Sequence, residues 1–232
     1  MAERVLSHFA VLAFEPEFWR MEPAARSAFL DRLAAAVPSM GEAASLHAVS
    51  PLRAGADLLL WTAARVDGPE APAEFLGALA ASLARWRPQL RMTEALWGFT
   101  RPSQYHPAKS PQMLDPFAPE RRRYLIVYPF TKTSDWYLLS QEARQGLMNE
   151  HIRVGKEYPD ITQLLLYSTG LADQEFVVVY ETDDLPRFSE LVTALRATDG
   201  RPYTLRDTPI TTAFWRPADQ LLDTWRQRDD AA

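Results

Sequence analysis

The chain has 232 residues, with 25 basic and 30 acidic side chains and a net charge of −5. Apolar residues make up 47% and charged residues 24%, which excludes a disordered chain and leaves room for one large domain or two small ones. There is no cysteine, so disulfides, thiolate metal sites, iron–sulfur clusters and cysteine nucleophiles are excluded as well.

The mildly acidic balance offers no electrostatic footprint for nucleic acid. No apolar run approaches the length of a membrane span. The opening MAERVLSHFAVLAFEPEFW places acids and a tryptophan where a signal peptide needs a plain apolar run. The expectation is a soluble cytoplasmic protein without nucleic-acid or membrane partners.

In chain order, the first half shows Trp19, AARSAFLDRLAAA, ADLLLW and PAEFLGALAASL. The segment from Thr100 to Arg123 then carries Pro102, Pro107, Pro111, Pro116 and Pro119. Proline fixes φ and removes a donor, so this stretch reads as a linker. The second half repeats the first: Trp136, EARQGLMNEH, QEFVVVYE and RFSELVTALRAT follow at an offset close to 117 residues. Trp19 matches Trp136, Leu30 matches Leu147, Leu58 matches Phe176 and Leu79 matches Leu195. A period this long signals domain duplication.

Within the second half, Tyr124 to Pro129 reads as a strand and Gln141 to Val154 as a helix with Leu147, Met148 and His151 on neighbouring faces. Gln163 to Tyr167 and Glu175 to Glu181 read as strands around a turn at Gly170 and Asp173. Leu185 to Arg196 reads as a helix capped by Asp183 or Asp184, and a last strand lies near Thr208 to Phe214. The pattern βαββαβ predicts an α+β protein of two tandem ferredoxin-like units, a duplicated domain of the dimeric α/β-barrel type. The expected division is 1–100, a linker 101–123, and 124–232.

Four histidines exist: His8, His47, His106 and His151. The first two fall in predicted strands and His106 in the linker, where each reads as structural or merely exposed. His151 follows Leu147 and Met148 on the predicted inner helix face. Glu181 shares a strand face with Val177 and Val179, and a buried acid is costly without a partner. With Lys132, these residues could form a metal-binding imidazole with an anionic neighbour, or a salt bridge at a helix end. Spacing alone favours the salt bridge. HExxH, a Gly-rich phosphate loop and a GxSxG elbow are all missing. Aromatic residues (11%) suit either core packing or a large flat apolar ligand.

The run RRYLIVYPFTKTSDWYLLSQEARQGLMNEHIRVGKEYP, followed by YSTGLADQEFVVVYETDDL, resembles the chlorite dismutase family of haem proteins. The likeness is strong over roughly Arg122 to Pro209, and the first half matches in architecture. The family includes chlorite dismutases, coprohaem decarboxylases and haem peroxidases. The resemblance implies His151 as the proximal iron ligand and Glu181 as the acid accepting a hydrogen bond from it. It implies Lys132 beside the pair and Trp136 packed next to the porphyrin. Ala34 stands where the repeat would place His151, so one haem per chain is expected, in the second half.

On the distal side the resemblance offers Gln163, or Leu164 when counted forward from His151, where chlorite dismutases carry arginine. An amide or alkyl group lacks the charge that holds anionic oxygen species. Coprohaem decarboxylases place glutamine there and use a tyrosine at the YP strand end, here Tyr128, as a radical relay. Lys156 replaces their propionate-binding arginine. The resemblance implies a peroxide-using oxidoreductase that decarboxylates iron coproporphyrin to haem, with haem b or iron coproporphyrin III bound. Chlorite dismutation, and haem binding or sensing without turnover, are the alternatives. A homo-oligomer, pentamer favoured, is also implied.

Overall fold

The computed structural model describes residues 4–102 and 111–226. In the first half, β1 (Val5–Phe14), α1 (Pro16–Arg20), α2 (Pro23–Ala36), β2 (Ala43–Ala48), β3 (Leu58–Arg65), α3 (Ala71–Ala84) and β4 (Leu90–Phe99) follow in order. In the second, β5 (Tyr124–Lys132), α4 (Ser134–Leu138), α5 (Gln141–Lys156), β6 (Thr162–Tyr167), β7 (Phe176–Thr182), α6 (Leu185–Arg196) and β8 (Thr204–Arg206) repeat that order. β9 (Thr211–Trp215) and α7 (Ala218–Leu222) close the described chain. The duplicated βαββαβ plan is therefore present element by element. It extends to the short helices α1 and α4, which carry Trp19 and Trp136.

The chain forms two compact units, and their boundaries differ from the expected ones. One unit holds the described residues up to Trp97 together with those from Ala213 onward; the other holds those from Gly98 to Thr212. Two local causes account for the difference. Leu221, Leu222 and Trp225 are buried in one core with Phe14, Phe18 and Leu33, so the chain end belongs to the first unit. In the supposed linker, Gln112 and Arg121 are tied to elements of the second unit, as described below.

The first unit has strand order β4-β1-β3-β2, with the end of β9 on β2 through His47↔Trp215 and Ala48↔Phe214. Even-numbered residues of β1 (Ala10, Leu12, Phe14) meet Phe29, Leu30 and Leu33 of α2 and Leu79 of α3. This follows from the period of two in a strand and 3.6 in a helix.

In the second unit β7 lies between β6 and β5, all antiparallel, and β8 pairs with the end of β5. Register fixes the faces. Tyr128 is opposite Val178 and Ile126 opposite Tyr180; Gln163 is opposite Tyr180 and Leu165 opposite Val178. These six residues share one face. Leu191 of α6 packs on Ile126 and Tyr180, so α6 covers that face. The opposite face carries Leu125, Val127, Leu164, Val177, Val179 and Glu181, all buried.

Asp184 caps α6 by accepting from the Arg187 N–H at 3.1 Å, and Ser140 caps α5 by accepting from that of Ala143 at 3.2 Å. Gly170 takes φ +76°, the left-handed conformation that the turn between β6 and β7 requires. The expected last strand, Thr208 to Phe214, is found as β9 and starts only at Thr211, after Pro209, which has no N–H to give a ladder; β8, ahead of that proline, is an additional short strand.

Candidate functional site

The site is built where β5 ends and α5 passes its C-terminal half. Lys132, the last residue of β5, is fixed through its backbone, whose N–H donates to a Glu175 carboxylate oxygen at 2.7 Å. Its Nζ lies 4.0 Å from the centre of the Trp136 ring and 5.2 Å from that of Phe130. A cation over aromatic faces is favourable when partly desolvated. Burial brings the Lys132 ammonium down to a pKa of about 8, assisted by Arg201 and opposed by Glu175.

His151 is half-buried on α5. Its pKa is lowered, first by burial and then by the neighbouring Lys132 charge, with Glu150 acting the other way. The imidazole is therefore neutral at pH 7 and has a lone pair to offer. Lys132 thus lies close to both Trp136 and His151.

Glu181 is not brought to them, which corrects one expectation. It lies on the sheet face opposite the one carrying Tyr128 and Tyr180. Its partner is Arg121 at 3.4 Å, and both side chains are at least 95% buried. Arg121 in turn donates to the carbonyls of Asp115 at 2.7 Å and Ala118 at 2.9 Å. Burial raises the Glu181 pKa, and Arg121 pulls against that rise. The strand alternation is as read from the sequence, but α6 covers the other face. Glu181 is a buried acid whose partner comes from the proline-rich segment.

Gln163 and Leu164 are separated by the register. Gln163 shares the face of Tyr128 and Tyr180, whereas Leu164 lies on the face of Val127 and Val179. Gln163 is exposed, as is Leu165 two residues on. Its backbone is held by the segment ahead of β5: Gln163 N–H donates to Gln112 O at 2.8 Å and Leu114 N–H to Gln163 O at 2.9 Å. The Gln112 amide also reaches the carbonyls of Gly155, Tyr158 and Ile161, at 3.2, 2.8 and 3.2 Å. One side chain therefore ties the end of α5 to the start of β6.

Tyr128 is half-buried, and its ring lies nearly parallel to that of Tyr180, at 25° and 6.3 Å between centres. Burial first, and then Tyr180 within hydrogen-bonding reach, raise the Tyr128 pKa well above the phenol value. Lys156 is exposed in the last turn of α5. His8 and His47 are buried in β1 and β2. His106 lies outside the described residues. Sequence reasoning missed Gln112, Arg121, Glu175 and Tyr180. Alternation in FVVVYE could have flagged Tyr180; nothing local marks the other three.

The first half does not reproduce the site. At the repeat offset Glu15 replaces Lys132, and it pairs with Arg91 at 2.7 Å. Trp19 is 49% exposed, whereas Trp136 is 5% exposed. Among the described residues no cluster of three or more His, Asp or Glu could hold a bare metal ion. A single neutral imidazole beside a buried indole is instead the donor chemistry that an iron porphyrin needs, since the macrocycle brings its own nitrogens. The residues present fit such a group, with a cation rather than an acid beside the imidazole.

Fold and site together define a duplicated ferredoxin-like protein with an imidazole-centred candidate site among the described residues of its second half. Comparison with known proteins gives this class a family. The chlorite dismutase family model matches residues 24–215. The coproheme decarboxylase of Mycolicibacterium smegmatis is 32% identical over 170 residues, 72% of this chain and 70% of that protein. The chlorite dismutase of Ideonella dechloratans is 28% identical over 141 residues, 57% of this chain and 50% of that one. A crystal structure of a mutant chlorite dismutase from Candidatus Nitrospira defluvii superposes with a TM-score of 0.81 at 25% identity, covering 96% of each chain. The chain belongs to the chlorite dismutase family. Membership implies a haem-type cofactor and a haem-dependent oxidoreductase. No helix among the described residues is long and apolar enough to cross a membrane.

Proposed function

We propose that this protein is a coprohaem decarboxylase, which uses peroxide to convert propionates of iron coproporphyrin III to the vinyl groups of haem. The observation that carries the reading is the shared sheet face of Tyr128 and Gln163: an oxidisable phenol and a neutral amide, with no guanidinium at the Gln163 position.

When bound, the iron porphyrin supplies the oxidising power of peroxide. His151 would offer the lone pair of a neutral imidazole to the iron; burial, and then the Lys132 charge, keep that imidazole from taking up a proton. Trp136, buried beside Lys132, would present a flat apolar surface to the porphyrin. Lys156, exposed in the last turn of α5, would meet a propionate. Gln163 can donate to or accept from peroxide without adding charge, so anionic chlorite gains no electrostatic hold there. Tyr128, a protonated phenol, would give up one proton and one electron to peroxide acting through the bound group and would take a hydrogen atom back from the propionate, which is thereby oxidised and leaves as carbon dioxide. Glu181 has no part in this reading; its work is structural.

The test is Tyr128→Phe. The variant is expected to bind iron coproporphyrin with an unchanged visible spectrum and to release no carbon dioxide on addition of peroxide. Decarboxylation at the wild-type rate in that variant would reject the radical role.

A further inference from the structure

We propose that Tyr180 is the redox partner of Tyr128, taking the oxidising equivalent from it and passing it outward to the half-buried tyrosines of the same cluster. The inference rests on the radical role proposed for Tyr128 and extends it to a residue with no assigned part.

The geometry is specific. Tyr180 is 4% exposed and sits on β7, one strand from Tyr128 and on the same face. The two rings are near-parallel, with 6.3 Å between centres. Burial, the largest influence on each, holds both phenols in the protonated form, and each bears on the other's proton affinity. Beyond Tyr180 the aromatic contacts continue, with Phe188 at 5.2 Å between ring centres. Tyr124 and Tyr158, both half-buried, pack against the cluster of Ile126, Ile161, Tyr180 and Leu191. The Arg187 guanidinium lies over the Tyr158 ring at 4.9 Å. Tyr124, Tyr128 and Tyr180 therefore share one sheet face, and Tyr158, ahead of β6, packs against the same cluster.

The step balances within the pair. Tyr128, having lost one proton and one electron, takes the hydrogen atom of the Tyr180 hydroxyl. The Tyr180 O–H bond breaks, the Tyr128 O–H bond re-forms, and the unpaired electron moves to Tyr180 with no net charge transferred. The hydroxyl rotor of Tyr180 can turn to donate once the Tyr128 oxygen has become an acceptor only. The oxidant is peroxide acting through the bound iron porphyrin. Two like phenols exchange a hydrogen atom with little driving force, so the transfer is reversible. With a propionate in place, Tyr128 oxidises it. Without one, the oxidising equivalent drains through Tyr180 and spares the site.

The experiment loads the protein with haem b, which has no coprohaem propionate left to decarboxylate. Peroxide is added with a nitroso spin trap, and adducts are mapped by peptide mass spectrometry. Wild type is expected to carry adducts at Tyr124 or Tyr158 as well as at Tyr128. In Tyr180→Phe, which keeps the ring and removes only the hydroxyl, the outer adducts are expected to be lost while that at Tyr128 increases. The visible spectrum, unchanged, reports an intact site. Outer adducts that persist in Tyr180→Phe but vanish in Tyr128→Phe would overturn this inference and leave the proposed function standing. Outer adducts that persist in Tyr128→Phe would overturn both.

Discussion

Burial first, and then the Lys132 charge, make the His151 imidazolium unfavourable, so the ring stays neutral and able to ligate. His151→Ala is expected to fold and to bind porphyrin without axial nitrogen ligation, read as an altered visible and EPR spectrum. A spectrum identical to wild type would remove His151 from the site. His8 is a separate case, where burial sets the protonation state. It is 9% exposed, and burial lowers its pKa from 6.5 to about 4. The folded state therefore binds fewer protons than the unfolded state between those values. Its contribution is fully present above pH 6.5 and is lost as pH falls toward 4. The loss is roughly 3 kcal/mol over that interval. His8→Phe is expected to flatten the pH dependence of urea unfolding by about that amount. An unchanged slope would show that His8 accepts its proton without opening the fold.

At the scale of elements, the proline-rich segment is structural rather than a spacer. Its Arg121 reaches Glu181 on β7, and its Gln112 joins the end of α5 to β6 beside Gln163. Removing one partner of a buried ion pair leaves an uncompensated charge. Arg121→Met is expected to lower stability by about 3–5 kcal/mol in chemical unfolding. The spectrum of bound haem should stay the same, because Glu181 does not face His151. An altered haem spectrum with unchanged stability would contradict this placement. The neighbourhood of Lys132, Trp136 and His151 was legible because these residues follow one another closely in sequence, from the end of β5 through α4 to α5. Glu181 was not, because alternation shows which residues share a face but not which face the helix covers. Gln112 was not, because a glutamine between prolines has no periodicity to read. Gln163 against Leu164 needed the register across β6 and β7, which strand pairing alone fixes.

At the scale of the whole molecule, duplication was the most readable feature. Trp19 and Trp136, Leu30 and Leu147, and the helices and strands after them recur at nearly one offset, and the structure repeats in the same order. The unit boundaries were less readable. The prolines suggested a break that lies inside one unit, and the apolar residues of α7 gave no sign that they rejoin the other. The copies have diverged in chemistry while keeping the fold, since Glu15 and Ala34 stand where Lys132 and His151 would be. The proposed assembly is a homopentamer, so light scattering is expected to give five times the 26.3 kDa chain. A monomeric mass would contradict it. The central claim is tested most directly by the mass of the porphyrin after the pure protein is incubated with iron coproporphyrin III and peroxide. Stepwise loss of carbon dioxide from two propionates, ending at haem b, is the predicted result. A bound porphyrin of unchanged mass would contradict the claim.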